Sequence, residues 1–497
     1  MQPPGLARVV LRGASFAGAG YGSSQILTFA TYLVLAKLLK PAEFGVFAAG
    51  SIVAGVGTIV GESGMLAALI HRRENLEEAF NSAFLATAAG GVLLTLLGLA
   101  TAPLVTLFFN SHTAGNVAAV MAATMFLRLT AVVPDAHLQR RFSFFRRVII
   151  DPLSITALAA GSITAAALGL GVWSLVIGTY AMSIVNVSAA WVFAGWIPRP
   201  RLASLATWRE LARYGRSVVG AEFIRRVTTE IPVLALGRFA STGALGQFTY
   251  SFRVASQPLR ALVNVGGYVL LPAFARIATD KERFQTAVLR SLRWVSATSF
   301  PIGMLLVPLG MPAVVLLFGA TWRQAGYGAM ALAGYCAALS LDSLASEAWK
   351  AYGRPDMLPR MHGLSLVLTT ISVAALVTFG LIGVTIGMSV SAIGVAAYAI
   401  WGMSRALEIP LHRLWREIWP PATAAVLMAG GLFLLEHFLV RSDQRGTVVG
   451  LLLVAAEAVL GAAVYLGLLA IVAPRTTREL VAGAERLLAR RRARQEG

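Results

Sequence analysis

Apolar residues run along this chain in blocks about as long as a hydrocarbon layer is thick, and most polar residues fall between the blocks. A helix crossing lipid needs about 20 apolar residues, with every backbone group satisfied inside the segment. Scanned at that width, the sequence predicts about fourteen such helices: 14–36, 44–68, 83–109, 117–136, 149–168, 172–196, 217–237, 244–273, 294–318, 325–348, 361–380, 383–403, 418–440 and 447–472. The seventh and eighth contain charged residues. Several connections, such as Asn110–Asn116, Gly169–Gly171 and Gly380–Gly383, are only a few residues long. No loop is large enough for a soluble catalytic domain. The expected fold class is an all-α polytopic membrane protein.

Composition agrees. Of 497 residues, 57% are hydrophobic and 13% charged, whereas about a quarter of a soluble domain is charged. The net charge of +19 would suggest nucleic acid in a soluble protein. In a membrane protein it reads first as basic cytoplasmic loops. With fourteen spans and the N-terminus inside, 31 Lys and Arg fall on cytoplasmic segments. Six fall outside: Lys37, Lys40, Arg238, Arg323, Arg441 and Arg445. Five lie within spans: Arg128, Arg225, Arg226, Arg253 and Arg260. Removing one span would invert every later loop, so the bias predicts an even span count with both termini cytoplasmic. Cys336 sits alone in an apolar stretch, which excludes a disulfide framework and a cysteine metal site. The first apolar block has no small-residue cleavage pattern behind it and is expected to stay as a span. The tail, 475–497, has an Arg-rich helical pattern suited to a surface facing anionic lipid.

The chain also repeats itself. The turn Lys37–Phe47 recurs 201 residues later in Arg238–Phe248, with its basic residue, glycine and phenylalanine. Arg141 and Arg147 recur as Arg354 and Arg360 at offset 213, and Gly171-Val172 as Gly383-Val384 at offset 212. Six spans return the chain to its starting side, so the copies have the same orientation. The expected domains are two parallel six-helix bundles, 1–205 and 206–410, then helices 13 and 14 over 411–474 and a basic cytoplasmic tail over 475–497. Parallel repeats about an axis along the membrane normal are a transporter architecture.

The same turn carries a family resemblance. Leu35-Ala36-Lys37-Leu38-Leu39-Lys40-Pro41-Ala42-Glu43-Phe44-Gly45 is similar to the ARLLGPEDFG turn of Wzx-type polysaccharide flippases, relatives of the MATE drug exporters and the lipid II flippase. Later landmarks follow in the family's order over about residues 10–400. They are Gly61-Glu62-Ser63-Gly64, Leu138-Gln139-Arg140, Gly169–Leu175, Tyr250–Leu259 and Leu271–Arg276. Where the family often has polar residues before its second such turn, this chain has Glu230-Ile231-Pro232. The resemblance implies export of an undecaprenyl-diphosphate-linked oligosaccharide across the bacterial cytoplasmic membrane, with a polysaccharide polymerase and glycosyltransferases as possible pathway partners.

Charge at membrane depth is costly and points to candidate sites. In span 7, Glu222, Arg226 and Glu230 are spaced to pair along one helix face, with Arg225 beside them. Helix pairing and a gating or ion-coupling role both fit. In span 8, Arg253 and Arg260 share a face around Pro258, and the span holds no acid. They suit either a diphosphate or an acidic partner, with Glu62 of span 2 as the candidate. Arg128 either snorkels or extends the basic lining. Arg140, Arg141, Arg146 and Arg147 read mainly as positive-inside charge, or as a landing patch for a phosphorylated head group. Ser23, Ser24 and Gln25 are placed to bond sugar hydroxyls or to serve helix packing. Asp342 and Glu347 are candidates for a coupling cation or for helix pairing. The histidines show no metal-ligand spacing, and no P-loop is present, so no cofactor is implied. The rival readings are a MATE-like exporter of amphipathic cations, which should favour acidic cavity residues, and a membrane polymerase or ligase, which needs larger external loops.

Overall fold

The computed structural model describes residues 22–140, 144–474 and 477–478; the side chains of residues 63, 144–148, 217 and 260–269 are also outside the description. The start of the first predicted span, the Arg141, Arg146 and Arg147 side chains, the Arg260 side chain and nearly all of the basic tail therefore lie outside the described residues. The described chain is helical, with no strand. Its helices are α1 (22–38), α2 (Pro41–His71), α3 (Leu76–Phe109), α4 (His112–Thr130), α5 (Val132–Arg140), α6 (Phe144–Ala167), α7 (Val172–Ala194), α8 (Leu205–Phe239) and α9 (Thr242–Ala275). They continue as α10 (Lys281–Met304), α11 (Leu306–Phe318), α12 (Arg323–Ala331), α13 (Ala333–Ala351), α14 (Met357–Leu376), α15 (Gly380–Ala406), α16 (Leu411–Leu435) and α17 (Thr447–Val472).

Helix occupies each of the fourteen predicted positions. By length and composition alone, eight segments are apolar enough to cross a membrane, and ten if two bent pairs each count as one span. That measure does not establish fourteen. It omits α1, α8 and α9, and it takes Met357–Ala406 as one segment. Over that segment α14 and α15 fold back on each other: the Thr369 and Ser391 hydroxyls meet at 2.8 Å, and Ser372 packs against Gly387.

The chain forms two compact units, residues 1–246 and 247–497. In the first, α2 is the central helix, packing on α4, α8 and α3. Small residues permit this closeness. A Cβ on Gly64 would lie 3.0 Å from the Gly215 carbonyl oxygen, and one on Gly215 would lie 2.8 Å from that of Gly64. α8, which the repeat assigns to the second bundle, thus lies along α2. The two repeated turns also meet. A Cβ on Gly45 would overlap the Thr242 carbonyl, and one on Gly246 would overlap the Pro41 carbonyl. Since Gly246 and Thr242 are the repeat equivalents of Gly45 and Pro41, the contact is reciprocal.

In the second unit a buried cluster including Phe284, Leu292, Trp349, Met403 and Met428 joins α10, α13, α15 and α16. Two bends shape this unit, and each is chemically compensated. α10 and α11 meet at 49° just after Pro301. Proline has no N–H for the carbonyl four residues back, that of Ala297. The Tyr465 hydroxyl of α17 donates to this oxygen at 2.9 Å. α12 and α13 meet at 45° around Leu332. There the Ser389 hydroxyl of α15 is inserted between helical partners: it accepts from Tyr335 N at 3.1 Å and donates to the Ala331 carbonyl at 2.6 Å. A side chain inserted into the backbone ladder is a recognised cause of a kink.

Tyr465→Phe is expected to lower the stability of the solubilised protein by about 0.6–2 kcal/mol. Adding Pro301→Ala, which restores a backbone donor for Ala297, should recover most of the loss. Thermal unfolding of the single and double variants checks this; additive effects would refute the compensation.

Candidate functional site

In the first unit two close-packed helices bring opposite charges together. Met125 and Leu129 of α4 lie against Gly57 and Gly61 of α2. Beside this contact, one residue past Gly61 and one before Leu129, Arg128 grips Glu62 with both arms: Nε donates to Oε1 at 3.0 Å and Nη2 to Oε2 at 3.4 Å. The Arg128 side chain is 47% exposed and that of Glu62 27%, so the pair is only partly buried. Within the first unit, Glu62 is therefore held by Arg128. Arg128 neither snorkels free nor adds an unpaired charge to a basic lining. Geometry, invisible in a single helix's sequence, selects this partner.

The charges of α8 divide differently from the i, i+4, i+8 run. Arg226 Nη2 meets Glu230 at 2.6 Å, four residues on. Glu222 instead pairs with Arg225, three residues on, also at 2.6 Å. The Arg226 guanidinium passes over Gly55 of α2, where a Cβ would block it. Its buried Nε finds no acceptor among the described residues. Ser24 on α1 is likewise buried with its hydroxyl unpartnered, while Ser23 and Gln25 are engaged elsewhere. Arg140 has a local structural task that spacing did not reveal. Its guanidinium donates to the carbonyls of Leu69, at 2.7 Å, Ile70 and Arg72, closing the C-terminal end of α2 where orphan acceptors gather.

In the second unit α9 is pinned to α12 and to the turn just before it. The Gln247 amide donates to the Thr321 carbonyl at 2.7 Å and accepts from Ala325 N at 2.8 Å, and Ser251 donates to the Ala325 carbonyl. Arg253, two residues beyond Ser251, is half-buried and has an interaction within the protein. On α13, Glu347 is taken by Lys350 at 2.9 Å. Asp342 differs: its Oδ1 is buried without a hydrogen-bond partner among the described residues. Outside the spans, Arg354 bonds Asp356 with both arms and holds that carboxyl below the usual carboxylate range. No group of three His, Cys, Asp or Glu side chains suited to a metal occurs among the described residues.

Two buried acids in the last two spans, Glu436 and Glu457, escaped the sequence reading. The available signal was an acid in an otherwise apolar span.

Long apolar helices, compensated bends and ion pairs at depth make this a polytopic membrane protein with a transporter-type fold. The chain belongs to the family described as polysaccharide biosynthesis protein, whose model matches residues 34–326. It is 27% identical over 442 residues to the succinoglycan biosynthesis transport protein ExoT of Rhizobium meliloti, covering 88% of this chain and 89% of that one. It is 22% identical over 493 residues to the teichuronic acid biosynthesis protein TuaB of Bacillus subtilis, covering 96% and 99%. Among solved structures, the lipid II flippase MurJ in an inward closed conformation aligns with a TM-score of 0.77 at 14% identity, over 94% of this chain and 99% of that one. An inward-facing multidrug MATE transporter of the MOP superfamily aligns with a TM-score of 0.61 at 17% identity, over 77% and 95%.

Reversing either charge of the Glu62–Arg128 pair, as Glu62→Arg or Arg128→Glu, is expected to reduce thermal stability. The double reversal should recover part of it, with a coupling of about 0.5 kcal/mol or more. No recovery in the double variant would show that the two side chains do not interact.

Proposed function

We propose that this protein flips an undecaprenyl-diphosphate-linked oligosaccharide from the cytoplasmic to the outer leaflet of a bacterial cytoplasmic membrane by alternating access. The observation that carries the reading is the match to a succinoglycan transport protein over nearly the whole of both chains. The fold shared with MurJ supports it. Both termini are cytoplasmic, fourteen helices span the membrane, and two six-helix bundles related by duplication are followed by helices 13 and 14. The skewed placement of Lys and Arg supports that orientation, and the reciprocal contact of the repeated turns supports the duplication. The protein is a transporter and not an enzyme; glycosyltransferases supply its substrate and a polymerase consumes the product.

Electrostatics suggests how the cycle runs. The isoprenoid stays in lipid while Arg253 and Arg260 hold the diphosphate, because guanidinium groups bond phosphate bidentately. Arg128 joins them when it releases Glu62, so this ion pair acts as a gate. Arg226, with its buried unpartnered Nε, and Glu230 provide a second switching pair beside Glu222 and Arg225. Ser24 and Gln25 bond sugar hydroxyls, and Asp342 is the leading candidate for a coupling ion. Each charge crossing the full field is worth about 2.3 kcal/mol per 100 mV. A diphosphate leaving a negative interior is thus driven outward.

A second reading, export of amphipathic cations, draws on the MATE likeness and on the unpartnered Asp342. Liposomes separate the two. Purified protein should move a fluorescent undecaprenyl-diphosphate oligosaccharide between leaflets, and Arg253→Ala should slow it about 10-fold, as expected for losing one charged hydrogen bond. Cation export without lipid movement would overturn the flippase reading.

A further inference from the structure

α16 ends in a single π-turn, Glu436–Val440, with Arg441 in the left-handed region at φ 48°. Such turns are uncommon and gather at functional sites. This one leaves Glu436 7% exposed. Ser442 supplies both its donors: N–H to Oε1 at 2.8 Å and the hydroxyl to Oε2 at 2.9 Å. On α17, Glu457 is 4% exposed, and neither of its carboxyl oxygens has a hydrogen-bond donor among the described residues. The antiparallel register of α17 against the end of α16 sets Glu457 level with Glu436. α17 is fixed on either side of this point, with Gly461 against Leu432 and Gly450 against Leu316 and the Ser442 carbonyl.

Among the described residues the arginines near the pair are committed elsewhere, and the His437 ring stacks on Phe433. Arg323 of α12 pairs with Asp443 at 3.3 Å. Arg441 donates to the His437 carbonyl, and Arg445 to those of Val440 and Leu439. α11 contains no titratable residue. The charged residues of α16, His412, Arg413, Arg416 and Glu417, cluster near its other end; from Glu417 to Glu436 is about 28 Å at 1.5 Å per residue. α17 has one other titratable group, Tyr465, whose hydroxyl is committed to Ala297. Two carboxylates that meet in a low-dielectric place cannot both carry charge unless something positive joins them. A metal ion needs several oxygens, but Ser442 presents donors, already directed at Glu436.

We propose that Glu436 and Glu457 form a proton-binding carboxyl pair, with the proton on Glu457 donated to a Glu436 carboxylate that Ser442 holds in place. The proton enters and leaves through a pocket of about 340 Å³ lined by Glu436, His437, Arg441, Asp443 and Tyr327. Glu436 faces this pocket and Glu457 lies behind it. The transferred species is a proton alone: one O–H bond breaks as another forms, and the pair exchanges it with water in the pocket. On the orientation proposed above the pocket opens outside, but the site itself does not depend on the transport reading.

Infrared spectroscopy of the full chain in lipid nanodiscs tests the pair without measuring transport. At neutral pH the wild type should show a protonated-carboxyl C=O band that shifts in D2O. Glu457→Gln should remove it and melt with the wild type, because a neutral isostere replaces a neutral acid. Asp342→Asn should leave that band in place. Glu436→Gln should shift it, since the charged acceptor is gone; this variant decides the matter if Glu457→Gln does not fold. No such band in the wild type, or one that persists in Glu457→Gln, overturns the proposal. A band lost on adding Na⁺ at constant ionic strength also overturns it, in favour of a cation site.

Discussion

Hydrocarbon offers no hydrogen-bond donors or acceptors, and nearly every feature of this protein follows from that absence. Backbone groups must be satisfied within helices, so the described chain is helical. Wherever a helix is broken, a partner helix has to supply what lipid cannot. Tyr465 gives Ala297 the donor that Pro301 lacks. Ser389 bridges the parted Tyr335 N–H and Ala331 carbonyl. Bends that would be costly in isolation become fixed parts of the second unit because a hydroxyl from another helix is built into each.

The same absence governs the charges. An arginine or glutamate at depth has to find a partner, and this protein uses small residues to bring one near. Glycines on α2 let α4 and α8 approach, so that Arg128 reaches Glu62 and the Arg226 guanidinium passes across Gly55. Close backbone packing and buried ion pairing are therefore one arrangement seen twice. Ion pairs that are only partly buried, like Glu62–Arg128, can exchange partners at modest cost. Asp342 and Glu457 are different in kind: among the described residues, buried oxygens of both acids have no hydrogen-bond partner.

The likeness to MurJ and to MATE transporters shows how far one helical scaffold is shared at 14–17% identity. What the scaffold handles depends on the side chains it presents. Membership of the polysaccharide biosynthesis family and the basic residues of α4, α8 and α9 favour an anionic lipid-linked substrate over an organic cation.

Sequence by itself determined the helical membrane class, the positions of the helices and the family, and its charge placement suggested an orientation. Each of these is a property of composition along one dimension: apolar length, charge placement, and the ordered landmarks beginning at Lys37–Phe47. It also located most of the unusual charges, because a charge inside an apolar run stands out. Which charges meet was decided only by tertiary structure. Glu62 lies 66 positions from Arg128 along the chain, and nothing in either segment names the other; glycine-mediated packing of α2 on α4 does. Arg140 looked like loop charge until the fold placed it on the end of α2. Glu436 and Glu457 come level with each other only because α17 returns antiparallel along the end of α16, where the π-turn sits. Partner choice is a matter of three-dimensional distance, and in a protein of long helices that distance is set by how closely their backbones can pack.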